Sequence, residues 1–304
     1  MRFGVDGLKP WVRRFKVINN RKMLELHCHT TFSDGTLTPT ELVNVAIAAG
    51  VQALAITDHD TVAGWDEAVA AAAPHGLEIV PGLELSTVHL GRSLHILGFY
   101  PEPGRLVEPL NERLNGRKRR AQQMVQKLAA LGYPIELPEK PGGMAPGRPH
   151  IAAAMVRAGY VQTSQEAFTR FIGEEKPAHV HYEKFSIVEG IDLLRSCGAV
   201  PVWAHPYLFR GGEVEDVLSE MVAAGLMGVE VYHPGHTSTQ SQTLEQLCER
   251  YGLLMTGGSD YHGPISDPKG RHADTLNRFH LPLHLLDPIK QAAHDLHRSF
   301  ESSD

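Results

Sequence analysis

From Leu24 onward the chain alternates short apolar runs with stretches in which apolar residues recur every three or four positions, so strands and amphipathic helices are expected to follow one another. Residues 24–29, 53–57 and 77–81 read as strands, separated by helices over about 40–49 and 63–73. Residues 83–88 and 94–100 read as two more strands. After an interruption come a helix over 188–197, a strand over 199–204, a helix over 214–224, a strand over 228–232, a helix over 243–251 and a strand over 253–256. This is the rhythm of βαβ units. His, Asp or Glu recurs at or just beyond nearly every apolar run, which favours an α/β barrel with its chemistry at the strand ends over an open sheet.

The interruption, residues 101–179, shows helical periodicity and no convincing strand, with a Pro/Gly-rich break over 138–149. It reads as a helical cap subdomain inserted into a barrel made of residues 24–100 and 180–304, with residues 1–23 as an N-terminal extension. The first cap helix carries an apolar seam at Leu106, Leu110, Leu114, Ala121, Met124 and Leu128, and Arg117 falls on the same seam. A guanidinium there needs either an anionic partner or a path past the seam to water. Lys118, Arg119 and Arg120 read as a solvated basic face.

Composition narrows the classes. With 304 residues, 42% hydrophobic and 21% charged, the chain has material for a full globular core, which excludes a disordered or fibrous protein. A formal charge of −6 argues against coating nucleic acid by bulk electrostatics, so any polyanion must be met locally. Cys28, Cys197 and Cys248 are too scattered for a disulfide framework, which points to a reducing, cytoplasmic setting. No apolar run is long enough for a membrane span, and residues 1–22 lack the apolar segment of a secretory signal.

The 18 histidines are informative by their placement. Strand alternation sets His27 and His29 on one face and Cys28 on the other, where it reads as barrel packing. Ser33-Asp34-Gly35 adds a carboxylate in a turn, and Thr57-Asp58-His59-Asp60 adds an imidazole among acids. Glu84, His95, Ala204-His205-Pro206 and Ser259-Asp260-Tyr261-His262 follow at successive apolar runs. Six imidazoles and three carboxylates, with no thiolate needed, can hold two or three divalent cations in an open site. Such a site suits metal-assisted hydrolysis, and paired metals suit in-line displacement at phosphorus. Asp58 and Asp60 read as oxygens that take the outward N–H of ligating imidazoles. His233 reads as a surface loop histidine. No lysine follows a strand where an amide or C–N hydrolase would need a carbamylated one.

His27-Cys28-His29, Ser33–Gly35, Thr57–Asp60, Gly82–Ser86, Ala204–Pro206 and Ser259–His262, in this order, resemble the motifs of the PHP (polymerase and histidinol phosphatase) family. The inserted segment and Gly147-Arg148-Pro149-His150 are most similar to its branch that hydrolyses nucleoside 3′,5′-bisphosphates and includes the exoribonuclease RNase AM. The resemblance implies a distorted (β/α)7 barrel with three metals. His27, His29, Glu84 and Asp260 would hold the first. Glu84 would bridge to a second, completed by His95 and His205, and Asp34, His59 and His262 would hold the third. It also implies substrate contacts from Arg117, Arg120, Arg148, His150, Lys176 and His236. His89 matches no family position and is left out.

The expected activity is metal-dependent hydrolysis of the 3′-phosphate of a nucleoside 3′,5′-bisphosphate, with manganese the first choice of metal and Fe, Zn or Co also compatible. The alternatives are 5′→3′ exonuclease action on short 5′-phosphorylated RNA, or a non-catalytic PHP domain kept for binding. The last is disfavoured because none of the nine ligands is missing. Partners are then a nucleotide or short oligonucleotide, with no stable nucleic-acid complex and no membrane.

Overall fold

The computed structural model describes residues 23–137, 146–181, 185–264 and 275–301. Residues 1–22 and the first part of the Pro/Gly-rich break lie outside the described residues; β1 starts at Met23, the last residue of the expected extension.

Three parallel strands, β1 (Met23–Glu25), β2 (Val51–Ile56) and β3 (Glu78–His89), are joined by α1 (Pro39–Ala48) and α2 (Trp65–Ala72). Thr38 and Glu41 form a capping box ahead of Pro39, which satisfies the free N–H groups that open α1. The two strands expected over 77–81 and 83–88 are one. Pro81 donates no hydrogen bond, but its carbonyl accepts from Tyr100 N–H, and β3 continues through it. β4 (Arg92–Phe99) folds back on β3 as an antiparallel hairpin.

The second half follows the expected alternation: β5 (Phe185–Ser186), α6 (Ile187–Ser196), β6 (Val200–Trp203), α7 (Val214–Ala223), β7 (Gly228–Tyr232), α8 (Ser238–Tyr251) and β8 (Leu254–Gly257). α8 starts earlier than its apolar periodicity predicts, because Thr237 and Gln240 form a capping box and the polar first turn is helical too. The main sheet runs β8-β7-β6-β4-β3-β2-β1, with β4 antiparallel to both neighbours and the other pairs parallel. A bridge between Cys28 and Tyr261 joins the chain after β1 to the chain after β8 and nearly closes the barrel. β9 (Leu281–Pro282) adds to β1, and α9 (Leu286–Glu301), which the apolar pattern did not bring out, packs Leu286, Ile289 and Ala293 into a core with Leu24, Ala53, Val80 and Val202.

Between β4 and β5 stand α3 (Pro103–Ala130), α4 (Arg148–Arg157) and α5 (Ser164–Ala167). α3 serves two cores. Leu106 and Leu110 pack with the barrel helices, whereas Ala121, Met124 and Leu128 form a separate core with Ile151, Met155 and Phe171. Between them the seam drifts with the 3.6-residue period. Arg113 is buried where Leu114 was expected; it stacks on Phe185 at 3.9 Å and donates to the Ser86 carbonyl at 3.0 Å.

Gly258 shows how tightly the barrel closes behind the site. A Cβ there would lie 2.3 Å from His27 Cβ and 2.6 Å from His27 N. Gly258→Ala should therefore destabilise the fold by about 1–3 kcal/mol through overpacking, read as a lower Tm. An unchanged Tm would show that the two segments separate without cost. Among the described residues no helix is long and apolar enough to cross a membrane.

Candidate metal centre

The six imidazoles and three carboxylates singled out in the sequence meet at one end of the barrel. His27 and His29 follow β1, Asp34 sits in the next turn, and His59 follows β2. Glu84 and His95 project from β3 and β4, His205 follows β6, and Asp260 and His262 follow β8. The Asp34 turn folds back against His29 because residue 35 is glycine: a Cβ there would lie 2.5 Å from the His29 carbonyl oxygen.

Glu84, 1% exposed, divides the imidazoles between its two oxygens. Oε1 lies 2.8 Å from His95 Nδ1 and 2.9 Å from His205 Nε2. Oε2 lies 3.2 Å from His27 Nε2, His29 Nε2 and His59 Nδ1. Asp260 Oδ1 approaches His27 Nε2 and His29 Nε2 at 3.3 and 3.2 Å. Asp34 Oδ1 is 3.3 Å from His262 Nε2, and its Oδ2 is 3.8 Å from His59 Nε2. Asp60, His205 and Asp260 adopt left-handed backbone with φ of 53°, 35° and 51°. Such conformations cost about 1–3 kcal/mol each and gather at functional sites.

A cation fits this arrangement. Among the described residues, His29 Nε2, Asp34 Oδ1, His59 Nδ1 and His95 Nδ1 are buried without a hydrogen bond, although carboxylates or imidazoles stand close by. Potential ligand atoms of His27, His29, Glu84 and Asp260 lie within 4.8 Å of each other, as do those of His29, Asp34, His59 and His262, and of His59, Glu84 and His95. Two of these groups differ from the sets implied by resemblance: His29 also reaches the Asp34 group, and His59 also reaches the His95 group. His205 joins through its contact with Glu84 Oε1.

Electrostatics follow the crowding. Burial opposes charge on His27, but Glu230, Asp260 and Glu84 outweigh it and hold its pKa well above the usual imidazole value. The same contest, with Asp260 and Glu84 prevailing, puts His29 at about 10. Burial wins at His59, which falls to about 4. Glu25, buried beside His27, is pushed up to about 7 by desolvation although it accepts backbone N–H groups from Ser259 and Asn277.

The outer layer differs from expectation. Asp58 accepts from Thr30 N–H, Thr30 Oγ1 and Ser33 Oγ at 2.8, 2.6 and 2.5 Å, and touches His29 only through Ser33. Asp60 accepts from Ser86 N–H at 2.7 Å and from Arg117 at 2.5 Å. Neither takes a proton directly from a ligand imidazole: Asp58 is turned to the loop of Thr30 and Ser33, and Asp60 to β3 and α3. That role belongs to Glu230, fully buried on β7, whose Oε1 is 2.9 Å from His27 Nδ1 and whose Oε2 accepts the His205 N–H at 2.8 Å. A carboxylate only accepts, so His27 donates from Nδ1 to Glu230, and Nε2, between Glu84 and Asp260, is the nitrogen that a bound cation would take. His233 is not a surface residue: it is 1% exposed because its loop turns inward. Gly235 N–H donates to its Nδ1, which leaves Nε2–H facing Asp260 Oδ2 at 3.3 Å.

The remaining sequence candidates are distributed around this centre. Arg117 finds its anionic partner in Asp60. Arg120 donates to the Val180 carbonyl, and Arg148 lies over Phe168 at 5.7 Å. His150 Nδ1 accepts from Gly147 N–H. Lys176 is exposed in the turn after Gly173. His236 lies behind His233, with rings 5.2 Å apart, and donates from Nδ1 to the Val231 carbonyl. Arg210, which no motif marks, lines the cavity over the cluster, as does Pro149.

Residues 25–135 match the PHP domain family. The chain is 37% identical over 250 residues to a 5′-3′ exoribonuclease of Haemophilus influenzae, covering 80% of this chain and 91% of the relative. It is 32% identical over 251 residues to a 3′,5′-nucleoside bisphosphate phosphatase of Chromobacterium violaceum, covering 79% and 87%. A crystal structure described as a metal-dependent phosphoesterase, from Bifidobacterium adolescentis, superposes with a TM-score of 0.75 at 32% identity, covering 89% of this chain and 96% of that one.

Proposed function

Since the chain belongs to the PHP domain family and hydrolyses phosphoric esters, we propose that its substrate is a nucleoside 3′,5′-bisphosphate, from which it releases the 3′-phosphate to leave a nucleoside 5′-monophosphate. In this reading His27, His29, Glu84 and Asp260 hold one divalent ion, Glu84, His95 and His205 a second, and Asp34, His59 and His262 a third, with manganese, Fe, Zn or Co as occupants. Divalent ions held there would polarise a phosphoryl oxygen and make water more acidic. The chain's own part is to fix Glu84 and Asp260 between imidazoles, to orient His27 through Glu230, and to hold the substrate. The helices over 101–179 act as a cap, and Arg148 and His150 on α4 meet the second phosphate.

The observation that carries the choice of substrate is the space available. The cavity over the cluster measures about 860 Å³ and is bounded by His95, His205, Arg210 and, from the cap side, Pro149; sites of this size take single small molecules. The adjoining groove contains Arg120 and Arg148 but also Glu174, Glu175 and Glu189. Mixed charge there suits one further phosphate better than a long polyanion.

One finding favours a second reading: the relative at 37% identity is named a 5′-3′ exoribonuclease, so short 5′-phosphorylated RNA is the alternative substrate. Kinetics over a salt series, with adenosine 3′,5′-bisphosphate, adenosine 3′-monophosphate and 5′-phosphorylated oligoribonucleotides of increasing length, separate the two. Efficiency should be highest for the bisphosphate, fall when the 5′-phosphate is removed, and gain little with length. Tight, salt-sensitive binding that grows with RNA length would promote the exonuclease.

A further inference from the structure

Two half-buried apolar side chains beside the cluster pack into none of the hydrophobic cores among the described residues. Phe32 stands in the loop that carries Asp34, and Leu114 stands on α3 between the segment that packs on the barrel and the segment that packs with α4. They line the same recess, together with Pro149, and its other wall includes Asp34 and His59. Asp34, His59 and Pro149 also line the cavity over the cluster, so the recess adjoins that cavity.

Apolar surface left in a recess next to a polar site is surface that a bound apolar group would remove from water. If the substrate is a nucleotide, as proposed above, its phosphate belongs at the cluster, and its one broad apolar face is the base. Phe32 offers an aromatic ring, Leu114 and Pro149 offer aliphatic surface, and Thr61 lines the same recess. Arg117 also borders the recess, but its guanidinium is held by Asp60. We propose that Phe32 and Leu114 form the slot that receives the nucleobase. Stacking on a ring accepts every base, because each has a π face, so the slot discriminates nucleotides from base-free sugar phosphates more than one base from another.

Isothermal titration of the metal-loaded protein with adenosine 5′-monophosphate and with ribose 5-phosphate tests this without turnover. The wild-type protein should bind the nucleotide about tenfold more tightly than the sugar phosphate. Phe32→Ala should remove most of that difference and leave ribose 5-phosphate binding as it was, and Phe32→Trp should restore it. Leu114→Ala, on a different element, should act in the same direction with a smaller effect, and thermal melts establish that each variant folds. Equal binding of the two ligands by the wild-type protein, or an equal loss of both in Phe32→Ala, would overturn the slot. The latter would make Phe32 a support for the Asp34 loop. Phosphate release from adenosine 3′,5′-bisphosphate is measured alongside: no release, with the base preference intact, counts against the proposed substrate and leaves the slot standing.

Discussion

Glu84→Ala is expected to cost the protein its metal and its turnover together, with kcat/KM down by about a thousandfold or more. No other side chain in the centre touches as many of its imidazoles. Its two oxygens lie within 3.2 Å of nitrogens from His27, His29, His59, His95 and His205. Removing it takes away the group that joins the His27–Asp260 side of the cluster to the His95–His205 side, and leaves buried imidazoles facing one another with less negative charge among them. Glu84→Gln should be nearly as damaging, because an amide nitrogen would replace an acceptor on one of the two sides. Metal per chain by plasma mass spectrometry, beside kcat/KM and a thermal melt, reads the effect. A folded Glu84→Ala protein with full metal and full turnover would remove Glu84 from the centre.

Glu230→Ala should weaken metal binding by about 10–100-fold, although Glu230 belongs to none of the potential ligand sets. It fixes His27 through Nδ1 and pins the backbone of His205 at a residue held at φ 35°. Without it, His27 loses the partner that selects its tautomer, and the left-handed turn at His205 loses a restraint. Glu230→Gln should recover only part of the loss. Both oxygens accept in the native arrangement, and one of them would become an N–H₂ facing a donor. Asp58→Asn should be milder than Glu230→Ala, since Asp58 reaches His29 only through Ser33. Competition with a chelator of known affinity measures the three side by side. Equal metal affinity in wild type and Glu230→Ala would show that the His27–Glu230 contact is packing alone.

How far these features could be read from the sequence depends on whether they leave a local pattern. The alternation in Leu24–His29 suffices to separate His27 and His29 from Cys28, which lies in the core beside Leu54 and Ile56. Seven of the nine candidate ligands follow β1, β2, β6 or β8, where the βα rhythm marks them, whereas Glu84 and His95 lie within β3 and β4. Glu230 was legible only as a charge in the middle of an apolar strand, Gly228-Val229-Glu230-Val231-Tyr232, where a buried carboxylate must have a partner that the sequence does not name. Glu25, between Leu24 and Leu26, leaves the same trace. His233 leaves none, since its burial depends on a loop turned inward by long-range packing. Along α3 the seam was legible at both ends, but the drift that buries Arg113 instead of Leu114 depends on Phe185 and Ser86, which are distant in the chain. α9 leaves little trace in the sequence because its apolar residues become a core face only against strands distant in the chain, among them β1, β2, β3 and β6.

The most direct measurement is phosphate release from adenosine 3′,5′-bisphosphate by protein stripped with a chelator and then reloaded with manganese at known stoichiometry. A metal-dependent bisphosphate phosphatase releases essentially no phosphate when stripped. On reloading it regains turnover in step with bound metal and yields adenosine 5′-monophosphate as the nucleotide product. Undiminished release by the stripped protein, or no release by the fully loaded protein, would contradict the account.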